Sequence, residues 1–110
     1  MVWTRRRLLH PVSETPRNNI GIWGERYLTY IREHKKLLHT KLMVNGTLYD
    51  HLAEINRQAE DMFSELVNQM KTREGITEQL KADNQLEWVR RMNNIRHRAT
   101  EIINHELIYT

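Results

Sequence analysis

Apolar positions along the chain recur at helical spacing, separated by short polar breaks. Trp23, Tyr27, Tyr30 and Ile31 share one such period and predict a helix over about 22–33. After the polar "EHKK", Leu37, Leu38, Leu42 and Met43 predict a second helix over about 36–44. Asn45-Gly46 closes it, because both residues tolerate the left-handed conformation that ends helices. Thr47 opens the third helix: its hydroxyl can accept an orphan amide, and Asp50 suits the positive end of the dipole. Leu48, Leu52, Ile55, Ala59, Met62, Leu66 and Met70 then form a seam about seven turns long. Lys71 and Arg73 suit its negative end, and Gly75 stops it. "TEQLKADN" is a short helical turn at best. Asn84 followed by Glu87 resembles a capping box, and the last helix runs from about Gln85 to Ile108. Its apolar stripe is Trp88, Met92, Ile95, Ala99 and Ile102.

These elements predict an all-α fold. It is a small helical bundle built on a long antiparallel helix pair, with two shorter N-terminal helices covering one side. Residues 20–110 form the single helical domain. Residues 1–19 hold both prolines, Pro11 and Pro16, among Ser, Thr and Asn. They read as a flexible basic arm carrying Arg5, Arg6 and Arg7. No strand pattern and no internal repeat is visible.

Composition narrows the setting. The 110 residues contain no cysteine, which excludes disulfides and thiolate zinc sites and fits a reducing, cytoplasmic home. No apolar run approaches the roughly 20 residues that span a bilayer, and the arginine-rich start lacks the apolar stretch of a secretory signal. Met43, Met62, Met70 and Met92 lie on the apolar stripes and read as core filler. The formal net charge of +3 is uneven: residues 1–46 hold nine Lys or Arg against three acids, and residues 47–110 hold eight against eleven. A basic front half suggests an anionic partner; attraction between the halves, or between copies, is the bland alternative.

Two outer faces carry candidate chemistry. On the last helix, Arg90, Arg91, Asn94, His97 and Arg98 fall away from the apolar stripe. Arginine pairs bidentately with phosphate and Asn reaches base edges, so this strip and Arg5, Arg6 and Arg7 are the candidate DNA contacts. The bland reading is a solvated face braced by pairs such as Glu87 with Arg91. No helix-turn-helix is evident, since "EHKKLL" has no Gly and the helix after it is short. On the third helix, Asp50, Glu54, Asp61 and Glu65 form an acidic face with Arg57 among them. It is either a solvated surface or a phosphate mimic that docks on a protein. His97, Glu101 and His105 stand four apart on one face, a spacing that suits exposed pairing better than a metal site. Nothing resembles a phosphate loop, a cysteine nucleophile or a serine elbow, so the expectation is a non-enzyme without cofactors or metal.

From Gly21 onward the chain resembles the transposon-encoded TnpV family. The segments that carry the likeness are "GIWGERYLTYIREH", "LYDHLAEINRQAE", "REGITEQLKA", "EWVRRMNNIRHRATEII" and "ELIY". The front end departs from the family's usual "Y-x-x-P-D-L" type of opening. The resemblance implies a protein of mobile elements, distantly similar to excisionases, and assigns no catalytic residue. Two functions follow as expectations. The first is an accessory protein that associates with DNA during excision or regulation of a transposon. The alternative is an anti-CRISPR-like inhibitor that occupies a surface of a host defence nuclease. An element recombinase is a further candidate partner, and a homodimer completing a shared bundle suits either function.

Overall fold

The computed structural model describes residues 20–110, so the arm assigned to residues 1–19, with Arg5, Arg6 and Arg7, lies outside the described residues. The chain forms α1 (Gly21–His34), α2 (Lys36–Asn45), α3 (Leu48–Arg73), α4 (Glu78–Asp83) and α5 (Gln85–Ile103). A π-helical turn over Asn104–Ile108 follows α5, and no strand occurs among the described residues. The fold is all-α, as the periodicity predicts.

The long seam of α3 organises the rest. At its start, Leu48 and Leu52 pack with Ile20, Leu28 and Ile31 of the α1 region. In its middle, Ile55 and Ala59 meet Trp23, Ile103 and Ile108. Near its end, Met70 packs with Ile76, Met92 and Ile95. The start of α5 therefore lies by the end of α3, and its end by the middle of α3, which is the antiparallel pairing expected. Met62 and Leu66 of the seam are only half-buried. The molecule is a slab of 52 × 42 × 17 Å with a radius of gyration of 18.6 Å. A compact domain of this length would have about 12 Å.

Four local expectations are corrected. Thr47 makes no side-chain cap, because its φ of −114° and ψ of 11° lie outside the extended region that aims a capping hydroxyl. Its backbone closes the α2–α3 corner instead, the amide donating to the Leu42 carbonyl at 3.0 Å. Residues 78–83 form a true short helix, α4, because the Thr77 hydroxyl accepts from the Leu80 amide at 3.2 Å. The α-helical part of the last element ends at Ile103, where hydrogen bonds widen: the Tyr109 amide donates to the Asn104 carbonyl at 2.7 Å. Ile103 is buried in the core with Ile108 of the widened turn, whereas Ile102, assigned to the stripe, is 38% exposed.

The close approach of α1 to α3 depends on a polar residue. Asn56 is buried on α3, and its Oδ1 accepts from the amides of Trp23 at 3.1 Å and Gly24 at 3.3 Å. The Trp23 amide is an orphan donor of the first turn of α1, capped from more than thirty residues away, while the Gly24 amide also donates to the Ile20 carbonyl at 3.1 Å. Gly21, at φ +63°, faces the same carboxamide, and a Cβ there would collide with it. A Cβ on Gly24 would sit 3.0 Å from the Leu52 carbonyl oxygen. Both glycines are thus read from packing rather than from the entry turn alone.

Candidate functional site

The arginine strip of α5 is exposed, but its charges are largely answered within the chain. Asn84 Oδ1 accepts from the Glu87 amide at 3.2 Å, which is the cap expected. The Glu87 side chain does not reach back to complete the box; the Asn84 amide donates to the Leu80 carbonyl. Instead Glu87 Oε2 receives Arg90 Nη2 at 2.6 Å and Arg91 Nε at 2.7 Å. These hydrogen bonds, from Arg90 first and then Arg91, hold the Glu87 carboxyl below the usual range and keep it ionised. Arg98 is tied by Nη2 to Glu74 at 2.7 Å and by Nε to Asn94 at 2.9 Å. The Arg98–Glu74 pair joins α5 to the end of α3. His97 stands 4.0 Å from Glu101, with both side chains exposed. His105 turns to Glu106, 3.8 Å away in the π-helical turn. Among the described residues no group of three or more His, Asp or Glu is arranged to hold a metal ion.

The acidic face of α3 is similarly engaged. Arg57 lies 2.5 Å from Glu54 and 3.0 Å from Asp61, and Gln58 donates to Glu54 at 3.0 Å. The bonds from Arg57 and Gln58 pull the Glu54 carboxyl down to about 2. Glu65 is exposed, and Asp50 makes interactions of its own. Two of the four acids assigned to a mimic surface are therefore bound to one arginine.

The junction of α1 and α2 differs from both faces. The Leu28–Ile31 stripe of α1 continues, by helical spacing, onto Lys35, whose ammonium cannot be buried without a partner. The helix breaks there: Lys35 adopts φ −133° and ψ 58°, and its amide closes α1 on the Ile31 carbonyl at 2.9 Å. α2 restarts at once and brings Leu38 and Leu42 against the first core cluster. Arg32, Lys35, Lys36 and Lys41, all exposed, stand within ten residues around this one-residue elbow, with Glu33 the one acid among them. None of the four cations makes an ion pair among the described residues. An open depression of about 460 Å³ lies in the elbow, lined by residues 33–38.

Sequence reasoning did not single out this cluster. Its signal was present as the basic front half of the chain, but charge was weighed by face, and α2 shows no clear apolar and polar faces. Arg26 is a further front-half cation, stacked 4.9 Å from the Trp23 ring centroid. No described helix is long and apolar enough to cross a membrane.

A comparison with curated proteins and with solved structures finds no match for this chain. A family model does match, over residues 8–108, beginning well ahead of the Gly21 from which the resemblance is evident by eye. Because that model covers nearly the whole chain, the protein belongs to the family of transposon-encoded protein TnpV.

Proposed function

We propose that this transposon-encoded protein is a non-catalytic accessory factor that associates with DNA, in excision of the element or its regulation. The observation that carries the reading is the elbow. Arg32, Lys35, Lys36 and Lys41 stand exposed within ten residues, without carboxylate partners among the described residues. Phosphate binding takes cations that are free to release counterions, and affinity then falls with salt by about 0.9 logarithmic units per phosphate neutralised. The α5 strip becomes a secondary contact, because Glu87 and Glu74 already hold its arginines. Inhibition of a host nuclease through Asp50, Glu54, Asp61 and Glu65 is the less favoured reading, since Arg57 neutralises part of that face.

The test is fluorescence anisotropy on a labelled duplex over a salt series. Wild type should bind with a steep negative log–log slope. Arg32→Ala/Lys35→Ala/Lys36→Ala/Lys41→Ala should make that slope shallower by about 3 to 4. Arg90→Ala/Arg91→Ala/Arg98→Ala should change it by less than about 1. Absence of saturable binding at low salt would remove DNA as the partner.

A further inference from the structure

We infer that α2 is a major-groove helix that reads thymine methyl groups through Leu37, Thr40 and Val44, an inference that rests on the DNA-associating role proposed above. α2 has no buried side chain, although five of its ten residues are Leu, Met or Val. Only Leu38 and Leu42 turn inward to the core. Leu37 and Val44 are 88% and 79% exposed, more than stability or solubility asks of branched aliphatic side chains.

Their placement gives that exposure a use. At about 100° per residue, Lys36 and Lys41 lie about 140° apart around the helix, and Thr40, Val44 and Leu37 fall between them. The outward stripe is thus an apolar centre carrying one hydroxyl, with a lysine on each edge. A duplex major groove has the matching order. Base edges, with thymine C5-methyl groups among them, form the floor, and phosphates form both walls. A ten-residue helix is about 15 Å long, and a groove about 12 Å wide admits it. Arg32 and Lys35, both exposed, precede α2 in the chain and supply further cations on the N-terminal side of the stripe. A protein partner of like chemistry would need acids flanking an apolar patch. A second copy meeting this stripe across a two-fold axis would set lysines against lysines, which disfavours it.

α2 packs on α1 and α3 and makes no substantial contact with α4 or α5. Gly46, at φ +73° with open space around it, ends the helix before it turns back toward α3.

The experiment selects bound duplexes from a randomised pool, then compares the enriched duplex with one in which deoxyuridine replaces each thymidine. That replacement removes only the methyl groups. Wild type should enrich a thymine-containing site and bind the deoxyuridine duplex about tenfold more weakly at unchanged salt slope. Leu37→Ala/Val44→Ala should bind both duplexes alike, with the wild-type slope and helical circular dichroism retained. Equal binding of the two duplexes by wild type would overturn the inference while leaving DNA association standing. So would recovery of the same enriched site by the double variant. If no duplex binds at low salt, the proposed function itself falls, and this inference with it.

Discussion

The elbow between α1 and α2 and the strip on α5 carry similar numbers of cations, yet they differ in what those cations can do. On α5, Glu87 sits three and four residues before Arg90 and Arg91 and accepts from both. At the elbow the one local acid, Glu33, makes no ion pair among the described residues. Helical continuity explains the contrast: Glu33 also stands three residues before Lys36, but the break at Lys35 separates them, whereas Glu87 and its arginines share one unbroken helix. Available charge is therefore set by the neighbours one turn away, and a count of arginines overstates the strip.

The largest effect should come from removing the support on which the elbow stands. Asn56→Ala leaves the buried Trp23 amide without an acceptor, while the Gly24 amide keeps the Ile20 carbonyl. The expected loss is about 1 to 3 kcal/mol, seen as a melting temperature lower by about 5 °C or more. Melting at the wild-type temperature would show that α1 does not depend on its distant cap. Next in size is Leu37→Glu, which places a carboxylate one turn before Lys41, as Glu87 stands before Arg91. This exposed change should leave stability nearly untouched and weaken duplex binding by about tenfold, through one neutralised lysine and one added repulsion. An unchanged affinity would place the phosphate contacts elsewhere. Glu87→Gln performs the reverse operation on α5. Freeing Arg90 and Arg91 should steepen the salt slope by up to about 2 and raise affinity a few-fold. If the slope stays as it was, the strip is turned away from the duplex and the contrast between the two regions is one of orientation as well as charge.

Much of the fold was legible because its determinants are local or periodic. The seam from Leu48 to Met70, the breaks at Asn45-Gly46 and Gly75, and the Asn84 cap are all properties of neighbours in sequence. What escaped was contact between distant residues or a change of helical period. Asn56 looks like one more polar position on α3 until Gly21 and Gly24 bring the start of α1 onto it. On an α-helical wheel Ile102 and Ile103 lie equally far from the centre of the α5 stripe, and packing with Ile108 of the π-helical turn decides which of them is buried. The elbow cations were not singled out for a third reason. Arg90, Arg91 and Arg98 form a clean face on an amphipathic helix, whereas Arg32, Lys35, Lys36 and Lys41 straddle a break between two helices. The sign and rough location of the charge could be read, but which cations lacked partners required the side chains in place.

The smallest effect concerns pH, and it separates paired from unpaired acids. Arg57 and Gln58 hold Glu54 down to about 2 from an ordinary 4.5, and Arg90 and Arg91 lower Glu87 in the same direction. A carboxyl depressed in the folded chain contributes stability that is fully present above its unfolded value and lost as pH falls through its folded value. Both pairings should therefore be intact at pH 6. Their contributions should decline below about 4.5, that of Glu54 until pH reaches about 2. Both groups are exposed, so the loss is shallow, a gradual fall in melting temperature rather than a sharp acid transition. Carboxyl-carbon NMR titration resolves the two sites directly. Glu54 should titrate at about 2, with Glu87 also below the ordinary range. Replacing Arg57 by Ala should raise Glu54 toward that range, with the Gln58 hydrogen bond remaining, and Arg90→Ala/Arg91→Ala should return Glu87 to it. Titration of Glu87 at an ordinary value in the wild-type protein would mean that its arginines are not held. The α5 strip would then offer as much free charge as the elbow.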